Sequence, residues 1–444
     1  MERTPLPSPQ FAILMGIRFI EPISFSLLLP FVYFMVRDFH VTDDTDQISF
    51  YAGLVASSFA VAECMSGVPW GILSDRIGRK PVLMLGMAGT MVSMLMFGVS
   101  QSLAWAIVSR FMAGLLSGNV GVMKSMVTEI TDHTNRAIGF SYLSMAFGLG
   151  FIVGPAMGGF LIHPADTFPY LFGGSSFLRK FPYFLPCAAA ALFCAIGMVL
   201  CHIFMEETLG AHDKSVTDPL LGGKLPRNYS GEGLNPQEEP KIGQTTWVAI
   251  VSYASLSLMT VMIEELFPFW AATSPEKGGL GFDASRTGSV FAISGLVLVM
   301  MQLLVYPFIH CHFGTMFLYK WVFILYIPII LLLPLVGTLD SVFLAVTIAY
   351  GCRTCCGVTA FTSYNILLPE TCSSRILGKV NGISQSLGSL ARAIGPFLCG
   401  FVWAWSLGNG LSFPFDYHFM FIVISSMCLV TFCIVTQIKI SHSN

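Results

Sequence analysis

The stretch Trp70-Gly71-Ile72-Leu73-Ser74-Asp75-Arg76-Ile77-Gly78-Arg79-Lys80-Pro81 is densely charged and punctuated by glycine, and it is wedged between two runs too apolar for water. Ser49 to Val68 and Val82 to Ser100 are each about twenty residues long, with Glu63 the single ionised side chain in the pair. That length crosses the hydrocarbon core of a bilayer, so the charged stretch is expected to be a loop joining two membrane helices. Gly71 and Gly78 let the backbone turn tightly and approach a neighbour closely. Asp75, among Arg76, Arg79 and Lys80, can bind basic side chains or a helix N-terminus.

The spacing Gly-x-x-x-Asp-Arg-x-Gly-Arg-Lys, carried by Gly71, Asp75, Arg76, Gly78, Arg79 and Lys80, resembles the signature loop between helices 2 and 3 of the major facilitator superfamily of transporters. The preceding Trp70 narrows the resemblance to the drug:proton antiporter branch and its zinc-induced-facilitator-like members. The resemblance implies a gating loop, with Asp75 and Arg79 as a latch bonded in one access state and broken in the other.

Composition agrees with a polytopic membrane protein. Hydrophobic residues make up 54% of 444 and charged residues 11%, against roughly 25% charged in soluble domains. A net charge of −2 implies no nucleic-acid partner. The first apolar segment is too long for a signal-peptide core and is read as retained. The twelve cysteines are scattered through apolar segments, which argues for helix packing rather than a disulfide framework.

Apolar runs bounded by turn residues give twelve spans: 11–36, 49–70, 82–100, 103–123, 138–161, 183–205, 246–270, 287–308, 316–337, 341–367, 379–403 and 418–438. The expected fold is all-α, with twelve transmembrane helices as two six-helix bundles, 1–205 and 246–444, joined by a polar cytoplasmic linker, 206–245. With the N-terminus inside, fourteen Lys and Arg fall on the cytoplasmic side, against Arg37, Arg179, Lys180, Lys277 and Arg286 opposite. The excess places both termini in the cytoplasm, and with them the sequon Asn228-Tyr229-Ser230.

An internal repeat supports the halves. Arg110-x-x-x-Gly114 recurs as Arg353-x-x-x-Gly357, Arg136-x-x-Gly139 as Arg375-x-x-Gly378, and Gly154-Pro155-x-x-x-Gly159 as Gly395-Pro396-x-x-x-Gly400, at offsets of 243, 239 and 241 residues. A parallel repeat of this kind is the arrangement already described for the two halves of this superfamily. The second-half counterpart of the charged loop, Tyr306 to Lys320, keeps Gly314 and Lys320 but carries His310, Cys311 and His312. No second ligand pair lies at useful spacing, so neither a metal nor a cofactor is expected. Cys352, Cys355 and Cys356 read as packing residues.

Ser141, Gly150, Gly154, Pro155, Gly158 and Gly159 in the fifth span are similar to the antiporter signature of helix 5 in proton-coupled exporters. Physically, glycines four apart make a flat helix face, and Pro155 bends the helix. Glu206-Glu207-Thr208-Leu209 with His212 partly resembles the histidine motif after helix 6 of zinc-induced-facilitator-like proteins, whereas their N-terminal cysteine motif is absent from Met1 to Gln10.

Ionisable groups inside spans cost about 2.5–3.5 kcal/mol each on insertion scales and need a cavity or a partner. Arg18 and Glu21 lie three apart on one helix face; Arg110, Glu264, Glu265 and Arg353 fall in spans four, seven and ten. In the superfamily these helices line the central cavity, so the resemblance gathers the six charges at a substrate or proton site, with the role in proton transfer attributed to Arg110. At 1.5 Å per residue, Glu21 lies near mid-membrane, while Glu264 comes out close to the outer mouth as a vestibule residue. Glu63 and Arg392 are further mid-membrane charges, and sequence does not say which basic residue pairs with Glu63 or Asp75. A carboxylate in a dry mid-membrane pocket can exchange a proton near neutral pH, which a proton carrier needs.

The expected function is secondary-active transport by a non-enzyme: proton-coupled antiport of a small organic solute, with Glu21 as the first proton carrier. The alternatives are uniport or symport of an anion, and a non-transporting membrane receptor or scaffold. The chain has no Gly-x-x-x-x-Gly-Lys-Ser/Thr motor sequence. Expected partners are the solute, protons and the lipid bilayer, with the protein a monomer in the plasma or vacuolar membrane.

Overall fold

The structure, a computed structural model, describes residues 8–131, 135–209, 242–337, 339, 341–372 and 377–438. Most of the expected linker, with His212 and the sequon at Asn228, lies outside the described residues. So do Arg3, Arg375 and Lys439, and the side chains of Arg136, Ser141 and Lys379.

The described residues are helical. In chain order the helices are α1 (Ser8–Ser26), α2 (Val32–Asp38), α3 (Ile48–Ile77), α4 (Arg79–Gly98), α5 (Leu103–Leu116), α6 (Asn119–Ile130) and α7 (Arg136–Phe160). Three short helices follow, α8 (Pro164–Thr167), α9 (Pro169–Phe172) and α10 (Ser176–Lys180), and then α11 (Phe184–Phe204). Beyond the linker come α12 (Gln244–Ala272), α13 (Ala284–Met300), α14 (Tyr306–Phe313), α15 (Thr315–Val336), α16 (Val342–Leu367), α17 (Leu377–Gly408) and α18 (His418–Thr436). One π turn, Met301–Val305, joins α13 to α14.

Among the described residues ten helical stretches are long and apolar enough to cross a membrane. They are the expected spans two to four and six to twelve. The first span is α1 with α2, interrupted by a turn around Pro30, and the fifth is α7. The fourth is broken between α5 and α6 at Ser117 and Gly118. A break leaves helix-end carbonyls without partners. Here Trp70 donates its indole N–H to the Leu115 carbonyl (2.7 Å), and Ser66 donates to that of Gly114 (3.1 Å). A Cβ on Gly118 would fall on the Trp70 ring, so a small residue at the break lets the indole reach it.

The charged loop is shorter than the sequence implies. α3 continues as helix through Ile77, α4 begins at Arg79, and the connection is the single residue Gly78 (φ 104°, ψ 161°), a conformation open essentially to glycine.

Helices up to α11 pack on one another, through α1 with α7, α3 with α5 and α4 with α11. Those from α12 onward do the same, through α12 with α17, α15 with α16 and α15 with α18. The two sets meet along α3 against α17 and α7 against α13. Both crossings close at the end away from the termini. A Cβ on Gly53 of α3 would stand 2.5 Å from the Pro396 carbonyl of α17, and one on Gly288 of α13 would stand 2.8 Å from the Gly159 Cα of α7. Such backbone-to-backbone approach needs small residues. Beside them Lys277 bonds Asp46 (2.5 Å) and Thr45 (3.3 Å) across the interface. The neighbouring Asp44 receives the Asp46 N–H and the Gln47 amide, which hold its carboxyl below the usual carboxylate range.

Candidate functional site

At the termini end the helices part around a cavity of about 1800 Å³. Its wall combines aromatic faces, among them Phe25, Phe59, Phe147 and Phe361, with five acidic and five basic side chains. The acidic ones are Glu21, Glu63, Glu129, Glu264 and Glu265; the basic ones are Arg18, Arg79, Lys124, Arg353 and Arg392.

Of the six charges expected there, five line the wall and Arg110 does not. Arg110 is 1% exposed and sits one layer behind, its guanidinium 4.6 Å from the Phe59 ring centre and 5.8 Å from that of Phe97. Its Nη1 reaches the Ser24 carbonyl at 3.5 Å. Phe59 and Ser24, which do line the cavity, screen it; an aromatic on a different helix is not legible in a linear reading.

Arg18 and Glu21 form the anticipated ion pair, with the guanidinium also 4.5 Å from the Phe147 ring centre. Arg353 bonds Glu264 (3.6 Å) and the Thr260 carbonyl (3.3 Å). Glu264 is therefore not a vestibule residue at an outer mouth. Beyond it along α12, Leu266 to Ala271 are all buried, and this plug with Phe291 and Tyr350 closes the far end. Counting residues from the start of a span gave a depth but not the wall above it. Glu265, 3% exposed, also lines the cavity, and its Oε2 has no hydrogen-bond partner.

Glu63 and Arg392 bring in two elements that the superfamily resemblance did not assign to the cavity, α3 and α17. Arg392 donates to Ser389 (2.8 Å) and is the strongest attractive charge acting on Glu63. No ion pair within 4 Å joins them among the described residues. Lys124, on α6, is a cavity residue that falls just past the end of the expected fourth span, 103–123, whereas α6 runs on to Ile130.

At the rim the expected gating residues form a clamp internal to the first half. Arg79 Nη1 donates to Asp75 (2.5 Å) and Ser74 (2.7 Å), and its Nε and Nη2 reach Glu129 at 3.1 and 3.0 Å. The Arg79 side chain is 10% exposed and that of Asp75 65%. Glu207 accepts from the backbone N–H of Arg79 (2.8 Å) and Lys80 (3.1 Å), so a carboxylate caps the N-terminus of α4. Lys80 Nζ donates to the His202 carbonyl, and Thr208 to the second Glu129 oxygen (2.5 Å). Sequence named Asp75, Arg79 and Lys80 for this loop but not Glu129, and it read Glu207 only within the motif after helix 6; the two lie 50 and 128 residues from Arg79. Gly71 and Arg76 stand on the last turns of α3, and neither takes part in these bonds.

In α7, Gly150, Gly154 and Gly158 face α1, where added Cβ atoms would strike the carbonyls of Phe19 and Leu27 and the Ser26 hydroxyl. Gly159 faces α13 instead, and the Pro155 carbonyl lies 2.9 Å from where a Gly288 Cβ would be. The glycine signature thus packs α7 against one helix of its own half and one of the other.

Among the described residues no cluster of His, Cys, Asp and Glu could hold a metal. His310 bonds Thr315 (2.8 Å) and His312 bonds the Phe308 carbonyl (2.8 Å). All twelve cysteines are unbridged.

Residues 14–396 match the Major Facilitator Superfamily. The chain is 32% identical to the major facilitator superfamily multidrug transporter mfsB of Aspergillus fumigatus, covering 91% of this chain and 80% of that one. It is 34% identical to zinc induced facilitator-like 1 of Arabidopsis thaliana, covering 86% and 81%. The D-xylose–proton symporter shares the fold, with a TM-score of 0.74 at 12% identity over 98% of both chains. A twelve-span helical protein with one central cavity, matched along most of its length, is a multi-pass integral membrane transporter for small molecules and not an enzyme: the chain belongs to the Major Facilitator Superfamily.

Proposed function

We propose that the protein exchanges a small organic solute for protons by alternating access. The two sets of helices, 1–205 and 246–444 with the linker 206–245 between them, rock about a central site; both termini face the cytoplasm, the protein acts as a monomer, and it resides in the plasma or vacuolar membrane. The observation that carries this is the cavity itself, open at one end, blind at the other, and lined by charges from both halves. The α7 glycine face shared between α1 and α13 supports antiport, as does the cluster of carboxylates in the wall. Uptake of a proton by a cavity carboxylate is exchanged against the solute; at Glu21, first by sequence, an incoming proton competes with the Arg18 guanidinium for the carboxylate. Anion uniport or symport gains nothing from the wall, whose basic and acidic groups balance, and a receptor or scaffold has no need of such a cavity.

The test is reconstitution into lipid vesicles offered an untargeted extract of small metabolites, with and without an imposed pH gradient. With the lumen acid, compounds handled by the protein should accumulate inside as protons leave, and a protonophore should abolish the effect. Flow in the same direction as protons, or indifference to the gradient, would contradict antiport.

A further inference from the structure

The three ion pairs of the cavity occupy Glu21, Glu129 and Glu264. Two lining carboxylates have no ion pair among the described residues, Glu63 and Glu265. Glu63 is partly accessible, whereas Glu265 is nearly sealed, with Oε2 unbonded. A buried carboxylate oxygen without a donor is costly when ionised, and a proton both removes the charge and turns that oxygen into a donor.

The groups acting on Glu265 are Glu264 on its own helix, Arg110 from α5, Cys399 from α17 and Tyr350 from α16. Arg110 is the one cation among them. It belongs to the other half, has no carboxylate partner within 4 Å among the described residues, and its Nε is also unbonded.

We infer that Glu265 is the proton-carrying group, loaded from and emptied into the water of the cavity it lines, with Arg110 across the interface as the counter-charge of its ionised form. Loading is the transfer of one proton from hydronium in the cavity to Glu265 Oε2, leaving water; unloading is the reverse. This rests on the proton-coupled reading, and it moves the proton from Glu21, whose bond to Arg18 then persists through the cycle.

Infrared difference spectra of the full-length protein in lipid, recorded across a pH titration, read the carboxylic C=O stretch of a protonated buried acid without needing a solute. Wild type should show one such band that titrates, absent in Glu265→Gln and retained in Glu21→Gln. Should Glu265→Gln fail to fold, Glu265→Asp serves instead by shifting the band. A band that persists unchanged in both Glu265 variants, or is lost in Glu21→Gln, or is missing from wild type at every pH, would overturn the assignment. A band that behaves as expected in a protein whose solute flux ignores the pH gradient would leave Glu265 as a protonation site and sink the antiport reading instead.

Discussion

Gly78 and Gly314 occupy equivalent places in the two halves and share a backbone conformation, φ 104° and ψ 161° in the first, φ 76° and ψ 159° in the second. Around them the chemistry diverges. At Gly78, Arg79 gathers Asp75, Ser74 and Glu129, and Glu207 closes the start of α4, so three separate parts of the chain are tied to one turn. At Gly314, His310 bonds Thr315 and His312 bonds the Phe308 carbonyl, contacts that never leave the turn. The duplication therefore survives as backbone geometry, because only glycine satisfies the turn, while the ionic clamp belongs to one half.

Substitutions at the two turns should separate these contributions. Gly78→Ala is expected to be the most damaging. The strained conformation alone costs about 1–3 kcal/mol, and the new Cβ falls on the Glu207 carboxylate. Gly314→Ala bears the strain but meets nothing within 4 Å. Thermal unfolding in detergent should rank Gly78→Ala well below Gly314→Ala; equal midpoints would mean that Glu207 contributes nothing. Next is Arg79→Lys, which keeps the charge but loses the forked contact with Glu129 at a cost of about 1–3 kcal/mol. In the second half Thr315 follows the glycine, and Lys320, six residues on, makes no ion pair among the described residues; Lys320→Met should leave the midpoint unmoved, and a matching drop there would erase the asymmetry. Glu207→Gln should cost about 0.3–1 kcal/mol through the helix N-terminus.

The smallest stability effect belongs to Asp75→Asn, under about 1 kcal/mol because the carboxylate is mostly exposed. Its effect should appear in access. If Asp75 and Arg79 form a latch, thiol labelling at the termini end will change at unchanged expression and melting. Identical labelling and transport in the variant would dismiss the latch.

Sequence reading reached what is local. Apolar run length located the spans, the glycine at 78 marked the turn, and the spacing at 150, 154 and 158 marked a flat face, all set by residues within a turn or two of one another. It failed where tertiary placement decides. Glu129 and Glu207 meet Arg79 only once α6 and the segment after α11 fold beside it. Arg110 is hidden by Phe59 of another helix, and Glu264 lies under a plug contributed by several helices. The breaks at Ser117-Gly118 and around Pro30 fall inside runs read as the unbroken spans 103–123 and 11–36, because run length registers hydropathy and not a local turn.

Alternating access itself is tested most directly by spin-label distances at the two ends of one molecule. One pair replaces the exposed Asp43 and Glu276 at the far end and the other Ile77 and Phe313 at the termini end. As pH is varied in lipid, the far-end pair should lengthen in the same fraction of molecules in which the termini-end pair shortens. Distances that stay fixed at both ends, or that widen together, would contradict a cavity exposed to one side at a time.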